Sequence, residues 1–267
     1  MLVRIISGVI GAIVLICILL AGEAAVSLAV AVASVIALYE MYKSVGAVKN
    51  IWMLLYGVIL AVMLPFMDGN HSGVFLMVVL YTVAMFVTML ISHETVSVEE
   101  MAKTYCLTLY ITLFMSCIAY IRGMDDGASL IWAVIIGAFA SDIFAYFTGV
   151  FLGRHKLCPK ISPKKTIEGS IGGIVGTALC FVLYGVVLST FLAFKVSYLQ
   201  LIILGVIAAA ISQLGDLIAS VIKRQYGIKD YGNLMPGHGG IMDRCDSLMF
   251  VAPVVYIYLT FIGSFLY

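Results

Sequence analysis

Long apolar runs alternate with short polar connections along almost the whole chain. A helix that crosses the hydrocarbon core of a bilayer needs about 20 mostly apolar residues. Such runs predict nine membrane-spanning helices, at about residues 5–22, 24–42, 51–67, 72–91, 104–121, 128–150, 170–194, 197–219 and 247–266. The connection at Gly22 and Glu23 is so short that the first two helices must form a hairpin. The predicted fold class is therefore an all-α polytopic membrane protein.

Composition supports this prediction. Hydrophobic residues make up 63% of the chain and charged residues 11%, whereas soluble domains carry roughly 25% charged residues. A water-soluble fold cannot bury this much apolar surface, so a bilayer must act as the solvent. The first apolar run, which follows Arg4, also fits a signal peptide. We favour an uncleaved first helix.

The basic residues predict the orientation of the helices. Nine spans place the N-terminus and every second loop on one side, and that side holds thirteen of the 15 Lys and Arg residues. Only Arg122 and Lys195 lie on the other side. By the positive-inside rule the basic side, with the N-terminus, is cytoplasmic. We interpret Lys49, Lys156 and Lys160 as anchors of this topology.

Two polar loops stand out on the basic side, at residues 151–169 and 221–246. Neither is long enough for a separate domain. We divide the chain into an N-terminal transmembrane region of about five helices, 1–125, and a C-terminal catalytic transmembrane region, 126–267. The chemistry must then take place at the membrane boundary, on a lipid or on something that crosses the membrane.

Glycines open the seventh predicted span. Gly169 and Gly173 are four residues apart, as are Gly172 and Gly176. Small residues at this spacing let helices approach closely. The glycines therefore predict helix packing rather than a phosphate-binding loop.

A polar stripe runs along the eighth predicted span. Spacings of three, four and seven place its members on one helical face, namely Ser212, Gln213, Asp216, Ser220 and Lys223. We interpret the stripe as one wall of a polar site. An ion pair of Asp216 with Lys223, or hydrogen bonding between helices, is the alternative.

Two further acids, Asp243 and Asp246, share a helical face if the ninth helix begins near them. They also favour the dipole of that helix, but a glycine-rich segment around His238 precedes them and suits close approach to a ligand. Together with Asp216 they offer the hard oxygen ligands that Mg²⁺ prefers. Asp142, in the sixth span, is open to two interpretations: an additional metal or proton site, or a buried structural acid.

Basic and hydroxyl residues lie next to these acids in the two loops. Carboxylates for a metal, combined with cations for phosphates, are typical of phosphoryl or nucleotidyl transfer. The candidates are Ser162, Lys164, Lys165, Thr166, Lys223, Arg224 and Lys229.

The segment from Ser220 to Asp246 resembles the signature of the phosphatidate cytidylyltransferases. Its matching positions are Ser220, Lys223-Arg224, Lys229-Asp230, Gly232, Pro236, His238-Gly239-Gly240, Asp243-Arg244 and Asp246. The segments Ser141-Asp142, Gly153-Arg154 and 162–169 are similar to the other motif of the family. Met235, Cys245 and Ile167 depart from the pattern mildly. The similarity covers roughly the C-terminal half, whereas 1–125 matches only as a hydrophobic region.

The resemblance implies that CTP and phosphatidate react to CDP-diacylglycerol and pyrophosphate. The cytoplasmic orientation of the loops suggests the inner membrane of a bacterium, with an organelle membrane as the alternative. The resemblance also implies Mg²⁺ on Asp216, Asp243 and Asp246, and a second monovalent cation such as K⁺. Lys223 joins these acids as a catalytic residue. The implied substrate-binding residues are Ser162, Lys164, Lys165, Thr166, Ser220, Arg224, Lys229, Asp230, His238, Gly239, Gly240 and Arg244. Besides the bilayer and the two substrates we expect no nucleic-acid partner, and a homodimer stays open.

Two other classes of protein remain as alternatives. Another CTP-dependent lipid enzyme, such as a polyprenol kinase, would share the metal and the basic surface. A transporter would place its site near the midplane, often within repeated halves, and no internal repeat is visible. The CDP-alcohol phosphotransferases are excluded because their D-G-x-x-A-R motif is absent.

Overall fold

The computed structural model describes residues 2–47, 50–235, 237 and 239–266, with the backbone alone for residues 2–5. Within these residues nine α-helices follow one another: α1 (Leu2–Leu20), α2 (Glu23–Val45), α3 (Ile51–Met63), α4 (His71–Ile91), α5 (Val98–Gly123), α6 (Gly127–Leu152), α7 (Ile167–Phe191), α8 (Tyr198–Gln225) and α9 (Met242–Phe261). A short 3-10 helix, Leu64–Phe66, continues α3. The predicted hairpin of the first two helices is confirmed, since α1 ends at Leu20 and α2 begins at Glu23.

Most of these helices have the length and composition of membrane spans. Seven of them, α2 and α4 to α9, are long and apolar enough to cross a bilayer, whereas the apolar stretches Ile6–Leu20 and Ile51–Phe66 are shorter. The prediction of an all-α polytopic membrane protein is confirmed.

The helices extend beyond the predicted spans where charged residues flank an apolar run. α8 continues to Gln225 and α9 already begins at Met242, so the predicted loop 221–246 shrinks to 226–241. The predicted span ends were wrong here because hydropathy marks the apolar part of a helix, whereas backbone hydrogen bonds continue into its polar turns. Asp243 and Asp246 consequently both lie on α9.

The loop predicted at residues 151–169 contains a β-hairpin. Strands β1 (Lys156–Cys158) and β2 (Ser162–Thr166) pair antiparallel, with Lys156 opposite Thr166 and Cys158 opposite Ser162. Thr166 also caps α7, because its Oγ1 accepts a hydrogen bond from Gly169 N at 3.1 Å. The hairpin therefore leads directly into α7 and has a defined geometry that the sequence interpretation missed.

The chain divides into two compact units, which interleave along the sequence. Unit 1 comprises Met1–Ala128 and Tyr226–Cys245, and unit 2 comprises Ser129–Gln225 and Asp246–Tyr267. The predicted division into an N-terminal and a catalytic region is a statement about function and stays a prediction.

Unit 1 is held by apolar packing and by polar groups that are satisfied locally. An apolar cluster joins α3, α4 and α5 through buried side chains such as Met53, Leu60 and Met85. On α5 the hydroxyls of Thr104, Thr108, Thr112 and Ser116 donate to the carbonyls one turn earlier. Inside a membrane such internal bonds replace those to water. The polar face of α5 is thereby compatible with burial.

Unit 2 relies on close helix contacts at the glycines of α7. A Cβ atom on Gly172 would lie 2.2 Å from Thr148 Oγ1, and one on Gly176 would lie 2.2 Å from Phe144 Cγ. Both neighbours belong to α6, so α7 approaches α6 more closely than any larger residue allows. The predicted packing role of these glycines is confirmed.

We expect Gly176→Ala to lower the thermal unfolding midpoint in detergent. The added methyl overlaps the base of the Phe144 side chain, and overpacking of this kind typically costs about 1–3 kcal/mol. Gly11→Ala is the matched control, because nothing lies within 4 Å of a Cβ at Gly11. The control should be neutral or slightly stabilising, since alanine favours helix by about 1 kcal/mol over glycine. Equal midpoints for the two variants would contradict the tight α6–α7 contact.

Candidate active site

A cavity of about 460 Å³ opens within unit 2. Its walls come from α6, the hairpin, and the facing parts of α7 and α8. Charged and hydroxyl side chains form one part of its lining, namely Lys156, Lys164, Lys165, Thr166, Asp142 and Asp216. Apolar side chains, including Tyr146, Val150 and Leu157, form another. The cavity therefore offers both cationic and apolar contacts to one ligand.

An ion pair crosses this cavity. Lys165 Nζ on β2 lies 2.6 Å from Asp216 Oδ2 on α8, and each side chain is about a quarter exposed. The contact does not have the geometry of a hydrogen bond, and Lys165 Nζ has no hydrogen-bond partner among the described residues. Within the described part of the chain the ion pair with Asp216 is therefore what restrains the ammonium group. The pairing of Asp216 with Lys165 differs from the pairing with Lys223 that we considered from the sequence.

Three acids of unit 2 lie near one another. Asp142 and Asp216 are close enough to Asp246 to act on it electrostatically, as is Lys223. Serine hydroxyls contact two of these acids: Ser220 Oγ donates to Asp216 Oδ1 at 3.5 Å, and Ser247 Oγ donates to Asp142 Oδ2 at 3.4 Å. Asp142 is exposed and lines the cavity, so the alternative of a buried structural acid does not hold.

The donor chemistry of these acids fits a divalent cation. No group of three or more His, Cys, Asp or Glu side chains that could hold a metal ion occurs in the described part of the chain. Mg²⁺ does not need one, because it is usually bound by one or two carboxylates and completes its octahedron with water and substrate phosphates. Asp216 and Asp246 supply such oxygens, whereas the three-carboxylate site with Asp243 stays a prediction.

The hairpin positions the lysines of the cavity. Glu168, in the first turn of α7, accepts hydrogen bonds from Arg154 N at 3.1 Å and His155 N at 3.2 Å. His155 Nδ1 also lies 2.6 Å from Glu168 Oε1. The base of the hairpin is thereby tied to α7. The lysines on its two strands then project from a fixed backbone rather than from a loose loop.

Buried polar side chains support the floor of the cavity. Gln213 Nε2 on α8 donates to Ser170 O at 3.0 Å, and Ser170 Oγ donates to Gln213 Oε1. Ser141 Oγ on α6 donates to Ala209 O at 3.3 Å. The polar stripe predicted on α8 thus serves both purposes considered from the sequence: it bonds helices together and ends at an acid in a polar site.

The signature loop, residues 226–241, lies in unit 1 and is organised by two carboxylates. Asp243 Oδ2 accepts from Tyr231 N at 2.8 Å and from Gly240 N at 3.1 Å. Glu40 of α2 accepts from Ile241 N at 3.2 Å and from Met242 N at 2.9 Å. Both acids are almost fully buried. Asp243 therefore has a loop-holding role that the sequence did not indicate.

The remaining predicted residues are distributed over the two units. Arg224 is exposed in the last turn of α8, and its Nε donates to Ile161 O at 3.3 Å. Lys229, Asp230 and Arg244 are exposed in unit 1, and Gly239 adopts φ +81° beside Asp243. Ser162 begins β2 and is not part of the cavity lining. His238 and Pro236, like the predicted anchor Lys49, lie outside the described residues.

Two residues with a place in these sites were missed from the sequence. Lys156 was interpreted as a topology anchor, yet it lines the cavity. Its position opposite Thr166 in the hairpin register would have been a signal, had the strands been recognised. For Glu40 the sequence shows only an acid near the end of an apolar helix, and no pattern there predicts its contact with the signature loop.

Comparisons with known proteins identify a family and several relatives of the chain. A model of the cytidylyltransferase family matches residues 2–262. The phosphatidate cytidylyltransferase of Bacillus subtilis is 31% identical over 266 residues, which cover 96% of each chain. That of Thermotoga maritima is 41% identical over 150 residues, covering 56% of this chain and 55% of the relative. That of Staphylococcus haemolyticus is 38% identical over 159 residues, covering 60% of each.

A membrane-embedded nucleotidyltransferase is the class of protein that the fold and these matches define. More narrowly, the chain belongs to the cytidylyltransferase family. The resemblance predicted from the signature is confirmed. It also reaches further than expected, because the family match includes residues 2–125, where the sequence showed only a hydrophobic region.

We expect Lys156→Ala to lower kcat/KM for nucleotidyl transfer by about tenfold, since a charge-assisted hydrogen bond to an anionic ligand contributes about 1.5–3 kcal/mol. Lys160→Ala is the matched control: Lys160 lies in the turn of the same hairpin, is exposed, and is outside the cavity lining. An exposed charge of this kind contributes little, so its rate should stay within about twofold. The rates are measured by steady-state kinetics. Equal rates for the two variants would contradict a ligand-binding role for Lys156 and favour its interpretation as a topology anchor.

Proposed function

We propose that the chain is a phosphatidate cytidylyltransferase, which condenses CTP with phosphatidate to CDP-diacylglycerol and pyrophosphate. The observation that carries this proposal is the mixed character of the cavity in unit 2. Phosphatidate has a charged headgroup on two apolar chains, and CTP has a charged triphosphate. A cavity with lysines on one part of its wall and apolar side chains on another, in a membrane protein, suits both. Relatives named for this activity support the assignment.

The lysines of the hairpin bind the phosphates in this proposal. Lys156, Lys164 and Lys165 line the same cavity, and together they offset part of the negative charge of two phosphate-bearing substrates. Lys165 exchanges Asp216 for a phosphate oxygen when the substrates bind, which leaves the Asp216 carboxylate available as a ligand. The proposal is supported by the position of both side chains in the lining of one cavity.

The reaction is a single displacement at the α-phosphorus of CTP. A phosphate oxygen of phosphatidate forms the new oxygen–phosphorus bond, and the bond between the α-phosphorus and pyrophosphate breaks. The attacking oxygen is already ionised near neutral pH, so the site needs no general base. What the protein must supply is orientation and stabilisation of the charge that shifts towards pyrophosphate.

Asp216 and Asp246 would hold Mg²⁺, with Asp142 as a candidate for an additional contact. The ion, when bound, would neutralise charge on the phosphates of CTP. Asp243 is a further ligand on the basis of the family signature, and a second monovalent cation such as K⁺ is part of the same expectation. Lys223 lies near enough to Asp246 to balance its charge before the substrates arrive.

The site faces the cytoplasm of a bacterial inner membrane in this proposal. The support is the concentration of basic residues in the loops after every second span. CTP is a cytoplasmic nucleotide, whereas the apolar chains of phosphatidate stay in the bilayer. A cavity that joins the hairpin to the apolar surface of α6 gives each substrate its own side of entry.

The test is a reaction of purified protein in mild detergent with CTP, phosphatidate and Mg²⁺. We expect pyrophosphate and CDP-diacylglycerol to appear together and to vanish with EDTA. Asp216→Asn and Asp246→Asn should each lower turnover at least about tenfold, because each removes a charged ligand of the metal. Asp125→Asn, an exposed acid in the α5–α6 connection, is the matched control and should keep the wild-type rate.

The outcomes separate the rival functions. CDP in place of pyrophosphate would indicate a lipid kinase. A folded, lipid-supplemented sample without turnover would contradict the enzyme assignment and reopen transport, with Asp142 as the next residue to change. Wild-type rates in Asp216→Asn and Asp246→Asn would remove the metal assignment while leaving the reaction intact.

A further inference from the structure

Glu40 is a buried acid that neither the helix pattern nor the reaction explains. It lies on α2, in a part of the chain where the sequence shows little beyond hydrophobic spans, and only 5% of its surface is exposed. Burying a carboxylate costs free energy unless hydrogen bonds or charges compensate for the lost water. The partners of Glu40 are therefore informative about its role.

Those partners are backbone N–H groups at the start of α9. Glu40 Oε1 accepts from Ile241 N at 3.2 Å, and Glu40 Oε2 accepts from Met242 N at 2.9 Å. Met242 is the first residue of α9. The first N–H groups of a helix have no partner within the helix, and negative charge there interacts favourably with the helix dipole. Glu40 thus caps α9 from a residue about 200 positions earlier in the chain.

The signature loop is pressed against the same carboxylate at two glycines. A Cβ on Gly232 would lie 2.2 Å from Glu40 Oε1, and one on Gly240 would lie 2.3 Å from Glu40 Oε2. A side chain at either position would have to displace the Glu40 carboxylate from its contacts. The close approach of the backbone to Glu40 therefore explains why two separated positions of the loop are glycine.

A second acid holds the loop from within. Asp243 Oδ2 accepts from Gly240 N and Tyr231 N, and Ser44 Oγ, one turn after Glu40 on α2, donates to Tyr231 O at 3.0 Å. The loop is consequently fixed at Tyr231, by Asp243 and Ser44, and at its end, by Glu40 at the entry to α9. Both sets of contacts are made to backbone atoms of the loop and of α9.

We propose that Glu40 is a positioning residue for nucleotidyl transfer. It holds the signature loop and the first turn of α9, which carry Asp243 and the predicted substrate-binding residues Gly239, Gly240 and Arg244. The inference rests on the proposed function for its effect on rate, whereas the contact itself is independent of that function. Glu40 acts through the backbone and does not touch the reacting atoms.

The primary variant is Glu40→Gln, which keeps the size of the side chain but turns one acceptor oxygen into a donor. One of the two N–H groups then loses its acceptor. We expect kcat to fall at least about tenfold, as for the loss of one charge-assisted hydrogen bond. The KM for CTP should change less than about threefold, because misplacement of the loop affects the transition state more than uniform binding. Glu23→Gln, the same change at the other end of α2, should keep the wild-type kcat.

A second pair of variants tests the contact with the loop. Gly232→Ala places a methyl against Glu40 and should lower kcat in the wild-type background. In a Glu40→Ala background the obstacle is gone, so the added effect of Gly232→Ala should largely disappear. Independent, multiplicative effects of the two changes would contradict the contact.

Hydrogen–deuterium exchange of the same proteins provides a readout that does not depend on activity. In Glu40→Gln the peptide containing Ile241 and Met242 should exchange faster, while peptides from α7 should be unchanged. Faster exchange with an unchanged kcat would overturn the positioning role, and unchanged exchange would overturn the contact. If the wild-type protein makes no CDP-diacylglycerol, the proposed function fails, and the exchange result still decides whether Glu40 holds the loop.

Discussion

A carboxylate inside a membrane-embedded helix bundle is costly unless it has partners, and this constraint governs the arrangement of acids in the chain. In unit 1 the partners are backbone N–H groups. Asp243 accepts hydrogen bonds from the signature loop, and Glu40 accepts them at the start of α9. In unit 2 the partner is a side chain, since Asp216 pairs with Lys165 across an open cavity. The acids of unit 1 thereby hold backbone N–H groups, whereas Asp216 is held by an ion pair that we propose a substrate phosphate replaces.

The helices themselves follow from the sequence because the bilayer leaves few alternatives. A segment surrounded by lipid must satisfy its backbone internally, so an apolar run of sufficient length becomes a helix. The packing of α7 also follows from the sequence, because glycines four residues apart allow α6 to approach closely. Hydropathy does not predict the helix ends. The helix α9 begins at Met242 rather than at residue 247, because Asp243 and Asp246 lower the hydropathy of a turn that is nevertheless helical.

The candidate site was predictable only in part. Lys164, Lys165, Thr166 and Asp216 were selected from local patterns, and the structure brings all four to one cavity. The hairpin was not recognised, because strands of three and five residues have no room for an alternating pattern. Glu40 was missed for a different reason: its partners are about 200 residues away, and a single sequence carries no information about that contact.

The proposed function combines a lipid-embedded fold with a cavity in which we propose that phosphates and a metal replace an internal ion pair. The central claim is that the carboxylates of α8 and α9 in unit 2, Asp216 and Asp246, hold a divalent cation together with the nucleotide. The most direct measurement is electron paramagnetic resonance of Mn²⁺ titrated into the protein with a non-hydrolysable CTP analogue. The account predicts binding that depends on the analogue and weakens at least about tenfold when either acid is changed to asparagine. Equal Mn²⁺ affinity in the wild-type protein and in both variants would contradict it.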